Sequence, residues 1–290
     1  MSNLIELFQL YPAFYLGTIF ILGLLIGSFL NVVIFRLPIM MESDWQQQCC
    51  ELLDIDDVKY KKNKLNLITP RSRCPSCEHQ ISAMENIPVI SYLFLKGKCS
   101  NCGIKISIRY PLIELASAIT VTTVAFYFGV SLQALFAICL TWALIALSMI
   151  DFDHQLLPDD ITLPFLWFGI IINLFGIYTD IESSIMGAIF GYGSLWLVYI
   201  SFKLVTGKEG MGHGDFKLLA VLGAWFGWQS LPLIIILSSV VGASIGILLM
   251  IFKSYNRTTA IPFGPYLAIA GWISMLWGPY IMSAYLNAVI

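Results

Sequence analysis

Two aspartates are the residues in this chain best suited to acid–base chemistry. Asp151 opens the stretch Asp151-Phe152-Asp153-His154-Gln155-Leu156-Leu157-Pro158-Asp159-Asp160, and Asp215 follows Gly212-His213-Gly214. Both stretches border long apolar runs, and an ionisable group at a membrane edge is costly enough to be a functional hypothesis by default. Two carboxylates held close together cannot easily both ionise, so one keeps a proton while the other acts as a base. Such a pair can deprotonate a water, direct it at an amide carbonyl and protonate the departing nitrogen. The 64 positions from Asp151 to Asp215 accommodate two crossings with their loops, which returns the chain to the same face. Gly212 and Gly214 are expected to supply positive φ and close backbone approach, bringing Asp215 to the start of a short helix. There the helix N-terminus would favour its anion. Spacing alone fits helix caps equally well. Asp159 and Asp160, after Pro158, read as a turn and cap. Asp153 would point to a different helix face from Asp151, and His154 and His213 beside the acids do not make a metal site.

The second constellation is sulfur. Cys74-Pro75-Ser76-Cys77 and Cys99-Ser100-Asn101-Cys102 are two C-x-x-C turns with 21 residues between them. Two thiolates from each turn can close a tetrahedron around Zn²⁺ with no open position, the pattern of a structural site. A segment too small to build much core gains a staple from such a metal. Four free thiols or a redox pair are the alternative. Cys49 and Cys50 lack a partner motif, and Cys139 reads as a packing residue.

These residues need elements to position them, and composition says which kind. Of 290 residues, 58% are hydrophobic and 12% charged, against about 25% charged in soluble domains. The mean hydropathy is +0.80. No water-soluble fold of this size hides that much apolar surface. A net charge of −2 argues against nucleic acid as a partner. Apolar runs predict about eight transmembrane helices, over 11–35, 110–129, 132–150, 161–179, 183–203, 216–229, 231–252 and 263–286. The run 216–229 is short for a span. The fold class is an all-α polytopic membrane protein with three parts: a first helix (1–35), a polar insert carrying the cysteines (36–109), and a seven-helix membrane domain (110–290).

Charge sets the orientation. Residues 36–109 hold 11 of the 16 Lys and Arg, and the alternate loops on that side, counted to the helix ends, hold the rest. The positive-inside rule therefore places the insert in the cytoplasm and both termini outside. A reducing cytoplasm disfavours disulfides between the four cysteines. No basic segment precedes the first span, so that span is expected to remain in the mature chain. The polar stretch 42–66 reads as a mobile or helical excursion. Trp225, Trp228, Trp272 and Trp277 read as interface-belt or packing residues. Gly242, Ala243, Ser244 and Gly246 suit close helix packing rather than a ligand.

Taken together these motifs resemble the type IV prepilin peptidase family, the bifunctional leader peptidases and N-methyltransferases of bacteria. Four segments carry the resemblance: Gly27-Ser28-Phe29-Leu30-Asn31 through Pro38; Pro70 through Glu114, with Asn86-Ile87-Pro88, Gly97-Lys98-Cys99 and Arg109-Tyr110-Pro111; Ile150-Asp151 through Asp159; and Gly212 through Ala220. A lone GxGD would be weak, but four segments in order around a tetracysteine insert are specific. The resemblance implies that Asp151 and Asp215 are the catalytic aspartates and that the protein lies in the bacterial inner membrane. It implies type IV prepilins and type II secretion pseudopilins as substrates, cut after a glycine that follows a basic leader. It also implies methylation of the new amine by S-adenosylmethionine. No Gly-rich dinucleotide turn is present, so the insert and the neighbouring helix ends are the available surface for the donor. There Glu114 and Arg109 are candidates, with an ion pair between them as the alternative, and Gly97 is the position the resemblance associates with methylation. The competing readings are a peptidase that does not methylate, and a zinc-bearing transporter or assembly scaffold. A transporter would more often show internal repeats and broken helices around mid-membrane acids.

Overall fold

The computed structural model describes residues 2–53, 65–253 and 262–289. All of its regular elements there are helical. In order they are α1 (Ser2–Leu10), α2 (Pro12–Leu52), α3 (Ile90–Phe94), α4 (Arg109–Phe128), α5 (Leu132–His154), α6 (Asp159–Asn173), α7 (Ile181–Thr206), α8 (His213–Phe226), α9 (Leu231–Lys253) and α10 (Gly264–Val289). Each of the eight apolar runs forms a helix. Six of these are long and apolar enough to cross a membrane, and the chain is a membrane protein. The remaining two, α6 and α8, have 15 and 14 residues. At 1.5 Å rise they cover only about 22 and 21 Å of a ~30 Å hydrocarbon core.

Several helix boundaries differ from expectation, among them those of α2, α6 and α8. Helix α2 does not stop at residue 35; it continues for 41 residues in all, through Pro38. The polar stretch after Arg36 is therefore helical as far as Leu52, and residues 54–64 of the expected excursion lie outside the described residues. Helix α6 stops six residues short of the expected 179. Asn173 ends it by turning its side chain onto the chain beyond: its Oδ1 accepts from the amides of Tyr178 and Thr179 at 3.0 and 3.3 Å. Helix α8 starts earlier than expected and ends at Gly227, whose φ of 81° no L-residue adopts comfortably. The expected loop 253–262 falls largely outside the described residues.

The chain divides into two compact units, Met1–Trp142 and Ala143–Ile290, with the boundary inside α5. In the first unit α2 packs along α4. The contact is glycine on one side: Gly23 and Gly27, four residues apart, let Ala118, Ser117 and Glu114 approach the α2 backbone. Ser117 Oγ donates to the Gly23 carbonyl at 2.7 Å and receives Trp142 Nε1 at 3.0 Å. Asn31, also buried, donates to the carbonyls of Gly27 and Tyr110. In a bilayer, where apolar side chains gain nothing by leaving lipid, close backbone approach and such polar links hold helices together.

The second unit is built around α8. Its residues Phe216, Leu218, Leu219, Leu222, Ala224 and Trp225 are entirely enclosed. Helix α7 crosses it at glycine against glycine: a methyl on Gly187 would overlap the Gly223 carbonyl, and one on Gly191 the Leu219 carbonyl. The far end of α8 is pinned by side chains. Asn173 donates to the carbonyls of Ala224 and Trp225, and Ser184 Oγ donates to Ala224. Trp225 stacks on Phe165 and donates Nε1 to the Phe165 carbonyl at 2.8 Å. Trp225 is thus a packing residue at 0% exposure, whereas Trp228 and Trp277 are 46% and 40% exposed, as belt residues would be. A helix too short to span is held at depth because its neighbours satisfy its ends.

Candidate active site and candidate metal centre

The two aspartates come from opposite ends of their helices. Asp151 lies in the last turn of α5 and Asp215 in the first turn of α8, both in the second unit and both buried. Asp151 Oδ2 accepts the backbone amide of Gly264, the first residue of α10, at 2.9 Å. Asp215 stands close enough to feel the charge of Asp151. Its Oδ1 is buried and receives no hydrogen bond among the described residues. An unmatched buried acceptor calls for explanation, and a carboxyl that holds a proton or a reacting water supplies one.

Leu157 packs against two glycines that adjoin these groups, Gly214 and Gly264. Its side chain would collide with a methyl on Gly214 and touch one on Gly264. Gly214 is therefore there for close approach. The expectation of positive φ is not met at Gly212 or Gly214: Gly212 caps α8 at φ −77°, and neither residue is among those with positive φ. The start of α8 is made instead by an extended cap residue, with the Asp215 amide donating to the Gly212 carbonyl.

The neighbouring polar residues sort themselves. Asp153 and His154 are exposed at the end of α5. Asp159 opens α6 and accepts Lys217 Nζ on both oxygens at 2.7 Å. This ion pair joins the first turns of α6 and α8, so Asp159 does more than cap. The His213 ring leans on Tyr199 and Phe216, at 5.1 and 5.3 Å between centroids. Gly264 went unnoticed in the sequence, although Pro262-Phe263-Gly264-Pro265 at the head of an apolar run marks a place where backbone comes close to something.

The four cysteines of the first unit do come together. Their sulfurs all lie within 4.8 Å of one another, with Cys74 to Cys102 at 3.8 Å and Cys77 to Cys99 at 4.0 Å. Four thiolates at about 2.3 Å from a tetrahedral zinc stand about 3.8 Å apart, so the donor set fits that ion. The two turns repeat one design. Cys74 O accepts the amide of Glu78 and Cys99 O that of Gly103, at 3.0 Å in both. Glu78 and Gly103 both have positive φ. The Arg73–Gln80 and Lys98–Lys105 bridges close the two turns. The His79 backbone amide, then the Asn101 side chain, hold the metal-free Cys77 thiol down at about 6, which favours the ligating thiolate. Glu85 ties the second knuckle to the turn that follows the first: it accepts Ser100 Oγ and the Ser82 amide, and these hold its carboxyl down at about 2. Cys49 and Cys50 lie near the end of α2, away from this cluster in the chain.

The three candidates for the donor site take definite places. Gly97 sits at φ +67° with the Tyr92 hydroxyl 2.8 Å from where a Cβ would be, so a side chain there is strained twice over. Glu114, buried on α4, accepts the Val89 amide at 2.8 Å and also meets the Ser28 side chain. Arg109 is the first residue of α4. Glu114 therefore fastens the insert, through Val89, to the α2–α4 pair.

With this geometry in hand, comparison with known proteins is decisive. Residues 138–247 match the type IV leader peptidase family, and residues 21–128 match the bacterial peptidase A24 N-terminal domain. The chain belongs to the type IV leader peptidase family. It is 58% identical to the prepilin leader peptidase/N-methyltransferase of Stutzerimonas stutzeri, over 92% of each chain. To the protein of the same name in Pseudomonas aeruginosa it is 55% identical over 95% of this chain and 94% of that one. To that of Aeromonas hydrophila it is 50% identical over 99% of each. No solved structure matches it. In this family member the first matched segment holds α4, the cysteine cluster and most of α2, while the second holds both aspartates.

Proposed function

We propose that this protein is a prepilin leader peptidase and N-methyltransferase of the bacterial inner membrane. It removes the basic leader from type IV prepilins and type II pseudopilins after a glycine. It then methylates the new amine. The reading rests most heavily on one observation: two buried aspartates from different helices, electrically in reach of each other, one held by the Gly264 amide and the other with an unmatched oxygen.

In the cleavage step the ionised carboxylate of the pair takes a proton from water. The water oxygen bonds to the carbonyl carbon of the scissile glycine. The protonated carboxyl gives its proton to the departing nitrogen as the C–N bond breaks. Asp151, fixed by Gly264, is suited to aim the water. Asp215 is suited to hold the shared proton. The substrate's apolar helix lies in the membrane while its basic leader stays cytoplasmic, which accords with the side on which Lys and Arg accumulate. In this reading residues 36–109 are a cytoplasmic zinc-binding domain and both termini face outward.

S-adenosylmethionine supplies an electrophilic methyl group when bound. In that transfer the neutral new amine would take the methyl as its S–C bond breaks, S-adenosylhomocysteine would leave, and the amine would lose a proton. Cys74, Cys77, Cys99 and Cys102 would hold a structural zinc ion, keeping the insert in one shape. Gly97, Arg109 and Glu114 serve methyl transfer by shaping and seating that insert. The test is mass spectrometry of a purified prepilin incubated with the enzyme, with and without S-adenosylmethionine. Cleavage after glycine, with a heavier methylated product only when the donor is added, supports both activities. An untouched prepilin with folded, zinc-loaded enzyme overturns the peptidase reading.

A further inference from the structure

Arg36 is the buried cation among the described residues of the first unit. It lies on α2 at the end of the apolar run, 8% exposed. Its Nη1 donates to the Asn66 carbonyl at 2.8 Å and its Nη2 to the Pro70 carbonyl at 2.7 Å. A guanidinium has five N–H donors, so these two bonds fix its plane and leave donors to spare. Among the described residues no carboxylate pairs with it. A buried charge without a counter-charge is costly, and two neutral carbonyls do not supply one.

Arg36 lines a cavity of about 340 Å³ between α2 and the loops that lead into and out of the first knuckle. That volume falls among small-molecule sites, roughly 300–1,000 Å³. Arg71 adds a second cation to the wall, Ser82 and Asn86 add a hydroxyl and an amide, and Val32 and Ile81 add apolar surface. No acid lines it. The combination is a fork for an oxyanion beside an apolar slot. We infer that this cavity is the methyl-donor site, with Arg36 and Arg71 receiving the carboxylate of the donor's amino-acid end. The inference rests on the methyltransferase reading above and deepens it. The fit is to the donor's negative end: a planar guanidinium pairs with a carboxylate through two parallel bonds. The apolar residues suit a flat base, and the hydroxyl and amide suit a ribose. Arg36 also clamps residues 66–70 against α2, so the same side chain that builds the wall would read the ligand.

The test uses the full-length, zinc-loaded protein in detergent and titrates S-adenosylhomocysteine, which keeps the carboxylate, by calorimetry. Arg71 is exposed, so Arg71→Gln tests the site without disturbing the fold. Metal content and melting temperature serve as controls. Arg71→Gln is expected to weaken binding about ten- to a hundredfold, the worth of a charged hydrogen bond. Ala83→Trp, which fills the cavity, is expected to abolish it. The decarboxylated analogue of S-adenosylhomocysteine, which loses both Arg36 and Arg71, should bind wild type more weakly than Arg71→Gln binds the parent compound, and Arg71→Gln should cost the analogue nothing further. Wild-type affinity in both variants, or an equal loss for parent and analogue in Arg71→Gln, overturns the assignment. A wild-type protein that binds no S-adenosylhomocysteine overturns the methyltransferase reading and the site with it.

Discussion

The backbone amide of Gly264 donates to Oδ2 of Asp151 at 2.9 Å, across 113 positions of sequence. A Cβ at residue 264 would lie 2.7 Å from that same oxygen. The start of α10 is therefore shaped to hold that carboxylate oxygen. Gly264→Ala is expected to push Asp151 aside. A misplacement of about 1 Å at a reacting group costs on the order of 10²-fold in rate, so kcat for prepilin cleavage should fall by that order. KM should change little, since no substrate contact is removed. Steady-state cleavage kinetics check this, and an unchanged kcat would show that the Gly264 contact is incidental.

Asp151→Asn and Asp215→Asn are each expected to lower cleavage by about 10²–10⁴-fold, the range for lost acid–base catalysis. The double variant should be scarcely worse than either single one, because the pair acts as a unit. Metal content should stay at the wild-type value, since the cysteines belong to the other compact unit. Additive losses would mean that the two acids act separately.

The sequence made some of this legible and hid the rest for physical reasons. Long apolar runs announce helices because a bilayer demands backbone satisfaction within the segment. The C-x-x-C turns announce their cluster because metal-binding turns are local. Helix α6 ending at Asn173 was not legible, because the capping side chain acts against hydropathy that continues to Phe175. The two Gly-to-backbone crossings were open to reading, since Gly187-Ala188-Ile189-Phe190-Gly191 is a G-x-x-x-G run. The Arg36 cavity was not, because it joins residues from three separate stretches of chain.

Cys74→Ser should abolish metal binding by the four-cysteine cluster. Structural zinc in peptides contributes about 10–16 kcal/mol at neutral pH, so losing one thiolate of four should drop metal content from one ion per chain to near none. Residues 65–108 should become sensitive to protease. Emission spectroscopy of eluted metal and limited proteolysis check both. A variant that keeps its metal and its protease resistance would show that the sulfur cluster is not a metal site.

Gly187 offers a test of how α8, and Asp215 with it, is held. Because a methyl at Gly187 would strike the Gly223 carbonyl, Gly187→Ala forces α7 and α8 apart. Overpacking of this kind costs about 1–3 kcal/mol. Gly193, on the same helix, has nothing within 4 Å of the place a methyl would take. Gly193→Ala should thus leave the melting temperature and cleavage unchanged, whereas Gly187→Ala should lower both. Thermal denaturation in one detergent, alongside prepilin cleavage, separates the two. Cleavage falls in this scheme because a shift of α8 carries Asp215 away from Asp151 while Gly264 keeps Asp151 in place. Equal behaviour of the two glycine variants would argue that the crossing tolerates separation, and that the position of Asp215 is set by the Asp159–Lys217 pair and the Leu157 contact instead.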